Sequence, residues 1–256
     1  MRAEDLRDAY DYLNLAQLCL DHGRPGAALR WAEEGAWLHD DPASERLLVF
    51  LAARYRDAGR RDDAEAALWR GFDRRPSAEL FAALCALRPA KKARTALTDQ
   101  AAKLLEARVE KQKRDHRIVG GSLADLLVHI LIGADRLPSA WTAADRHGCS
   151  DQALEALARA SESTMSADAL DAYIALAERQ IGIANKHGYQ AACRLITRIG
   201  DLRTRLGQTD KQQAGKHRAY VDDLLRRHAA KRSFVALLDT AIAKPKTTVI
   251  YDSRAR

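Results

Sequence analysis

Residues 53–76 read ARYRDAGRRDDAEAALWRGFDRRP, a polar stretch with two glycines and a proline at its end. Its apolar residues recur at three- and four-residue spacing, which is typical of helices. Gly59 lies between two such patterns, where glycine can end a helix because it adopts left-handed backbone conformations at little cost. Gly71 lies inside the second pattern. A glycine at that place predicts that another helix packs too closely to leave room for a side chain.

The same arrangement occurs earlier in the chain, over residues 12–36, which read YLNLAQLCLDHGRPGAALRWAEEGA. Five identical residue pairs in the two stretches are separated by 36 positions: Leu15 and Leu51, Ala16 and Ala52, Gly23 and Gly59, Ala28 and Ala64, Gly35 and Gly71. Repetition at one period indicates a duplicated structural unit. Each unit is predicted to be two helices: the first glycine ends the first helix, the alanine lets the second approach, and the last glycine admits a third.

The whole composition favours an all-α fold. Alanine, leucine and arginine dominate, β-branched residues are scarce, and each of the six prolines stands at the edge of a periodic segment. Downstream of the repeats, helices are predicted over residues 77–86, 90–114, 122–133, 138–148, 151–160, 167–186, 188–206, 210–229 and 231–243. We therefore predict an all-α, right-handed α-solenoid of antiparallel helix pairs.

The repeat resembles the tetratricopeptide repeat. In the second unit, the residues that match its pattern of small and large positions are Leu48, Leu51, Ala52, Tyr55, Gly59, Ala64, Leu68, Gly71, Phe72 and Pro76. The first unit departs from the pattern at Cys19, where the family has a tyrosine, and at Ala32, which stands at an aromatic position. The resemblance implies a tetratricopeptide-like solenoid. The alternative is an ordinary helical bundle in which the period is a coincidence.

The domain organisation is predicted from the places where the period and the charge change. Residues 1–107 are expected to hold tetratricopeptide-like helical repeats, and residues 123–243 a C-terminal region of further helical repeats. Between them, residues 108–122 read RVEKQKRDHRIVGGS, where dense charge and two adjacent glycines indicate a hinge. The final residues, 244–256, are predicted to be a flexible tail.

The second half carries a wider resemblance. Its segments AWTAADRHGCS, DALDAYIALAERQIGIANKHGYQAACRLITRIGDLRTRLG and YVDDLLRRHAAKRSFVALLD are similar to the helical C-terminal region of bacterial SWIM-type zinc-finger family proteins and of a related bacterial family of unknown function. The resemblance covers roughly residues 10–242, and its most distinctive elements are Asn185 with Tyr189 and the basic RRHAAKRSF segment. It implies a helical-repeat region from proteins whose zinc finger is thought to contact DNA or protein. The C-x-C and C-x-H ligand pairs of that finger are absent here, so no zinc-dependent function is implied.

No catalytic, cofactor or metal-binding motif is recognisable in the sequence. The phosphate-loop, dinucleotide, nucleophile-elbow and zinc-protease patterns are all absent. His147 and Cys149 stand close together and His129 lies in an apolar segment, but no second cluster supplies the further ligands of a metal site. We interpret His129 as a hydrogen-bonded core residue, Gly148 as a helix cap and Cys149 as a packed thiol. The chain is therefore predicted not to be an enzyme and to need no cofactor.

Composition also bears on location. The four cysteines lie far apart and form no C-x-x-C pair, which fits buried thiols in a reducing compartment. The first residues carry acidic side chains rather than the apolar core of a signal peptide, and no run of about 18 apolar residues occurs. We predict a cytoplasmic protein that does not enter a membrane.

Positive charge is concentrated in two stretches. The formal net charge is +7, but residues 88–118 carry +6 and residues 194–232 carry +7, while residues 1–87 and 119–193 carry −4 each. The basic side chains taken as candidate contacts are Lys91, Lys92, Arg94, Arg226, Arg227, Lys231 and Arg232, and Arg227 and Lys231 are expected on one face of a nearly continuous helix. Such stretches favour nucleic acid or an acidic protein as partner. The ordinary alternative is that they keep exposed helix faces hydrated.

The other candidate site is the groove of the repeats. By analogy with tetratricopeptide domains, its wall would expose Tyr10, Leu13, Gln17, Val49 and Arg56. The Lys and Asn residues with which some such domains grip a terminal carboxylate are missing, so an apolar helix or an internal segment of a partner fits better. The sequence therefore predicts a non-catalytic scaffold that binds an unidentified protein partner and no small-molecule substrate. The alternative is a nucleic-acid-associated protein that uses the two basic stretches.

Overall fold

A computed structural model describes residues 6–39, 44–115, 122–207 and 211–243. Thirteen α-helices lie within these ranges, and no β-strand occurs in them. The helices are α1 Ala9–Asp21, α2 Pro25–Leu38, α3 Ser44–Asp57, α4 Arg61–Arg74, α5 Ala78–Leu87, α6 Lys91–Arg114, α7 Ser122–Gly133, α8 Leu137–His147, α9 Asp151–Ser161, α10 Ser166–Gly182, α11 Lys186–Gly207, α12 Lys211–Arg227 and α13 Arg232–Ala243. The all-α prediction is confirmed.

The chain divides into two compact units, Met1–Ser150 and Asp151–Arg256. This division does not coincide with the hinge predicted at residues 108–122. The first part of that segment, residues 108–114, belongs to α6, and residues 116–121 lie outside the described residues. The predicted tail, residues 244–256, lies outside them as well.

Two turns join the helices of the first two pairs in the same way. Gly23 after α1 and Gly59 after α3 both take left-handed backbone conformations, with φ of 68° and 77°. In the first turn the amide of Arg24 donates to the carbonyl of Cys19 at 2.9 Å, and Arg60 makes the equivalent bond at 2.8 Å. These bonds satisfy carbonyl groups that the end of a helix leaves without partners. The predicted role of both glycines as helix ends is confirmed.

Of two later helix ends, the one predicted at residue 133 is confirmed and the one predicted at residue 186 is wrong. Gly133 is the last residue of α7, but the left-handed residue of the following turn is Asp135, with φ of 57°. Aspartate is among the few residues whose short polar side chain makes this conformation tolerable. The helix predicted to run to residue 186 ends at Gly182, because Ala184 takes a φ of 54° that a helix cannot contain.

The glycines inside α2 and α4 are points of close helix contact. A Cβ atom on Gly35 would lie 2.5 Å from Cβ of Tyr12 in α1 and 2.9 Å from Cδ2 of Leu47 in α3. A Cβ atom on Gly71 would lie 2.6 Å from Cδ1 of Leu48 in α3. Because carbon atoms in contact prefer separations of about 3.5–4.0 Å, neither position has room for a side chain. The prediction that another helix packs closely here is confirmed, but the closest helix is the first of the same pair. The third helix comes next, with Leu47 at 2.9 Å from the added Cβ of Gly35 and Leu80 at 3.4 Å from that of Gly71.

In the first unit, helices that follow each other in the chain pack together, and so do the first helices of successive pairs. Each of α1 to α4 contacts the next helix, and α1 also contacts α3, as α3 contacts α5. The first helices of successive pairs thus lie side by side, as in helical repeats. The core that joins α1 to α4 consists of Ala9, Tyr12, Ala16, Ala32, Leu47, Leu51 and Ala67. Further along the unit, α6 contacts α7, and α7 contacts α8.

The second unit is built around α10 and α11. These two helices pack against each other, α9 packs on α10, and both α12 and α13 pack on α11. Fully buried side chains include Tyr173 and Leu176 of α10 and Phe234 of α13. Ring contacts join Phe234 to Tyr189 of α11, with centroids 5.7 Å apart, and to His228 at 5.9 Å. Phe234 is therefore a core residue, which is why α13 can close this end of the unit.

Candidate interaction surfaces

The predicted groove residues lie on α1 and α3, which the fold places next to each other. Tyr10 is 54% exposed, and Gln17 and Arg56 are exposed, whereas Leu13 and Val49 are half-buried. Leu13 packs against the core that joins α1 to α4, so its side chain serves the fold as well. We call these five residues the α1–α3 surface.

The polar members of the α1–α3 surface already have local partners. The Gln17 side chain donates to the carboxylate of Asp21 at 2.8 Å, and the Arg56 guanidinium donates to Asp57 at 3.2 Å. Both pairs are exposed, and exposed pairs of this kind are worth less than about 1 kcal/mol. A partner could therefore exchange them at little cost. Tyr10, with no such constraint on its ring, is the strongest apolar contact that this surface offers.

A second apolar feature of the first unit was not predicted from the sequence. Trp37, near the end of α2, is 82% exposed and stands at a cavity of about 250 Å³ between α2, α3 and α4. Leu48, Leu51 and Tyr55 of α3 line the cavity. The available signal was that Trp37 lies off the buried stripe formed by Ala28, Ala32 and Gly35.

The wall of this cavity includes an aromatic and charged cluster. Burial and a hydrogen bond to Glu33 raise the pKa of Tyr55 to about 12. The Arg60 guanidinium lies over the Tyr55 ring at 4.4 Å and forms ion pairs with Glu33 at 3.1 Å and Asp63 at 2.6 Å. These contacts link α2, α3 and α4. The cluster therefore stabilises the turn that follows α3.

The first basic group is free. Lys91, Lys92 and Arg94 stand in the first turn of α6 with exposed side chains, and none of the three makes a side-chain hydrogen bond or ion pair within the described part of the chain. The N-cap residue Ala90 makes no side-chain cap, and the first turn of the helix has no acidic residue. Because the amino end of a helix itself carries partial positive charge, the three cations reinforce a positive potential there. We call them the α6 basic cluster.

The second basic group is mostly engaged within the protein. Arg226 pairs with Asp223 at 2.6 Å, and Arg227 pairs with Glu178 of α10 at 2.6 Å. The Lys231 ammonium donates to the carbonyl of Ile181, at the end of α10, at 2.9 Å. Of the four predicted cations, only Arg232 is exposed without a partner in the described ranges. Two helices occur here, as predicted, but the expectation that Arg227 and Lys231 share one helix face is wrong, because α12 ends at Arg227 and Lys231 lies between α12 and α13.

Glu178 is the centre of this contact. Burial alone would raise the pKa of Glu178, but hydrogen bonds from Arg227 and His228 hold that pKa below its usual value. The His228 ring lies 3.2 Å from the same carboxylate. Arg227, His228 and Lys231 thus attach the end of α12 and the residues before α13 to α10.

A buried carboxylate organises the rest of the second unit. Glu162, in the turn after α9, is 9% exposed and accepts hydrogen bonds from the hydroxyl of Tyr173 at 2.8 Å, from Arg198 at 2.6 Å and from Arg205 at 2.5 Å. Burial alone would raise the pKa of Glu162, but these hydrogen bonds lower it to about 2. The arginines reach solvent while the carboxylate does not. The arrangement joins α9, α10 and α11 and was not predicted from the sequence.

The histidine and cysteine interpretations are partly wrong. His129 is hydrogen-bonded, through Nδ1 to the Asp125 carbonyl at 2.7 Å, but it is exposed rather than in the core. His147 is the buried one, and burial with the nearby Lys113 lowers its pKa. Gly148 caps α8 with φ of 77°, as predicted. Among the described residues, no group of three or more His, Cys, Asp or Glu side chains is placed to hold a metal ion.

The four thiols differ in burial. None of the four cysteines, all of which lie in described parts of the chain, forms a disulfide; Cys193 is buried, and Cys19, Cys85 and Cys149 are half-buried. Within the residues that the structure describes, every helix is too short or too polar to cross a membrane.

No protein-family model matches the chain. No curated protein matches it either. Solved structures that match include the DHF58 filament, which is 19% identical, with 88% of this chain and 93% of that chain covered. The TM-score is 0.22, too low for the likeness to support any argument about fold or function.

Proposed function

We propose that this chain is a non-catalytic helical-repeat scaffold that binds a protein partner. The observation that supports this most is the contact of α1 with α3 and of α3 with α5. First helices that lie side by side offer one extended surface, which is how stacked helical repeats bind partners. Within that surface Tyr10 is an exposed aromatic residue, the residue type that dominates binding energy in protein interfaces.

The proposal also covers the handedness of the helical stack, its family resemblance, its location and the form of its partner, as the sequence indicates them. The stack is right-handed and tetratricopeptide-like, and the second unit is related to the helical region of SWIM-type proteins without their zinc finger. The scaffold works in the cytoplasm and requires no cofactor. Its partner presents an apolar helix or an internal segment to the α1–α3 surface.

The experiment is capture of the partner by the full chain, immobilised through a terminal tag, from extracts of the producing cell. Tyr10→Glu places a charge in the α1–α3 surface, at a position where an acidic residue suits the first turn of α1. Ile183→Glu is the matched control, because Ile183 is 53% exposed and lies in the second unit. We expect a retained protein to be lost with Tyr10→Glu and kept with Ile183→Glu. Equal retention by both variants would contradict the role of this surface, and retention of nothing by the unaltered chain would contradict the scaffold.

Association with nucleic acid is a second proposal, favoured by the α6 basic cluster alone. Its three cations are free, whereas three of the four C-terminal candidates are engaged. If three phosphates are neutralised, the logarithm of the duplex-DNA binding constant should fall with the logarithm of salt concentration with a slope of about −2.7. Fluorescence anisotropy with labelled DNA measures this slope. Binding that survives reversal of Lys91, Lys92 and Arg94 to glutamate would exclude the cluster as the contact.

A further inference from the structure

Three helices of the first unit turn regular faces toward one groove of about 450 Å³. The lining residues are Ala78, Phe81, Ala82 and Cys85 of α5, Lys91, Arg94, Thr95 and Thr98 of α6, and Leu126, His129, Ile130 and Gly133 of α7, with Ala134 and Asp135 beyond it. Each set has the spacing i, i+3, i+4 and i+7, which is one face of a helix. Seven residues of helix rise about 10 Å, so the groove is about two helical turns long.

The groove is open because α5 is too short to cover α6. The first of these helices has 10 residues and the second has 24. The first buried residue of α6 is Leu97, so the part of the helix that carries Lys91 and Arg94 has no buried side chain. Meanwhile α5 packs on α3 and α4, and α7 packs on α8. Ala78 and Ala82 of α5, Thr95 of α6 and His129 of α7 are exposed, so no further helix among the described residues covers these parts of the groove.

The chemistry of the groove is apolar with a positive end. Half-buried Phe81 and exposed Ala82 form its apolar wall on α5, and Leu126 and Ile130 of α7 line it with little exposed surface, since both are buried. Lys91 and Arg94 stand at the start of α6. The lining contains one carboxylate, Asp135, so the two cations leave it net positive, and exposed Lys92 adds to that end. His129 does not compete for a ligand through Nδ1, because that atom is bonded to a backbone carbonyl.

We propose that this groove binds a two-turn amphipathic helix of the partner protein, with the apolar face of that helix on the walls and its carboxylates at Lys91 and Arg94. An apolar helix seated in a groove is held by side chains at i, i+3, i+4 and i+7, the same spacing that the three walls present. Charge complementarity then fixes its direction, because only one end of the groove carries the cations. This inference deepens the proposed function, and rests on it, by naming the chemistry of a partner segment.

The test uses the full chain and a set of fluorescein-labelled helical peptides. Every peptide places leucine, isoleucine or phenylalanine at i, i+3, i+4 and i+7, and the flanking positions carry either glutamate or lysine. Fluorescence anisotropy should show that the glutamate peptides bind at least about tenfold more tightly than their lysine counterparts, since like charges oppose binding. Lys91→Glu with Arg94→Glu should reverse this order.

Two controls separate the groove from general electrostatics and from folding. Lys103→Glu with Lys111→Glu makes the same change of charge on α6, at exposed residues outside the groove that have no partner among the described residues, and should leave the order intact. Ala82→Glu, at an exposed position of the α5 wall, should weaken the glutamate peptides without reversing the order. Circular dichroism confirms that each variant is folded.

Three results would overturn the inference. In the first, no peptide binds with a Kd below about 1 mM. In the second, Lys91→Glu with Arg94→Glu leaves the glutamate peptides binding more tightly than the lysine peptides. In the third, Lys103→Glu with Lys111→Glu reverses that preference as much as the groove variant does. Sodium dodecanoate serves as a further probe, since the volume also suits a small amphiphile. If dodecanoate binds in a groove-dependent way and no peptide does, the site takes a small carboxylate instead. Capture through the α1–α3 surface is unaffected by these variants, so the two proposals fail separately.

Discussion

Gly35→Ala is expected to destabilise the first unit, although alanine is the better helix former. The added Cβ would lie 2.5 Å from Cβ of Tyr12 and 2.6 Å from Cγ of the same residue. Because Cβ is attached to the backbone, rotation of the Tyr12 side chain cannot relieve the overlap, and α1 itself must move. Overpacking of this kind costs about 1–3 kcal/mol, and the contact with a backbone-attached atom places it near the upper end.

This destabilisation is partly offset, because alanine inside a helix is more stable than glycine by about 0.5–1 kcal/mol. The net loss in the free energy of unfolding is therefore about 2 kcal/mol. In a protein of this size, such a loss lowers Tm by about 4–8 °C. Differential scanning calorimetry of the full chain measures the shift, and urea unfolding followed by circular dichroism provides the free energy.

Gly26→Ala is the matched control, since Gly26 lies in the same helix with no atom within 4 Å of its absent Cβ. That substitution should leave Tm unchanged or raise it, because the free energy of unfolding should increase by up to about 1 kcal/mol. Gly71→Ala should cost less than Gly35→Ala, because its nearest contact, at 2.6 Å, is the flexible end of Leu48. A Gly35→Ala protein as stable as Gly26→Ala would refute the close contact between α1 and α2.

Three further changes test the turns and the buried charges. Gly59→Ala should cost about 1–2 kcal/mol despite open space around it, because alanine is strained at a φ of 77°. Glu162→Gln should cost about 1–3 kcal/mol, since it leaves two half-exposed arginines without their buried partner. Reversal of Arg227 and Lys231 to glutamate should cost about 1–2 kcal/mol by breaking their contacts with α10, whereas Arg232→Glu should have no measurable effect.

Chemical denaturation measures the change in the free energy of unfolding for each of these variants. The contribution of Glu162 to that free energy also depends on pH. The pKa of Glu162 is about 2 in the folded protein against an ordinary value of 4.5, so its contribution is complete above about pH 4.5 and is lost as the pH falls toward 2. The stability difference between the unaltered protein and Glu162→Gln should shrink over that window. A constant difference would contradict the ion pairs. Equal effects of Arg232→Glu and the double reversal would contradict the contacts with α10, and a neutral Gly59→Ala would contradict the left-handed turn.

The features that the sequence predicted correctly are local. They include a glycine that ends a helix, a proline at a helix start and apolar residues at helical spacing. Each acts over a few residues, so it can be interpreted without knowledge of the fold. The close contacts of Gly35 and Gly71 involve other helices, but the 36-residue period identified them because a duplicated unit repeats its contacts. The helix end at residue 133 was predicted correctly, but the end predicted at residue 186 was wrong, since alanine can also occupy the left-handed position when the fold requires it.

The state of the charged side chains was decided only by the tertiary structure. Arg227 and its partner Glu178 are 49 positions apart, and Lys231 and the carbonyl of Ile181 are 50 apart. No local pattern distinguishes these engaged cations from the free ones at Lys91 and Arg94, because pairing depends on which helices meet. The same holds for the groove between α5, α6 and α7. Each of its faces follows from helical spacing, but the open side exists because of the order in which the helices pack.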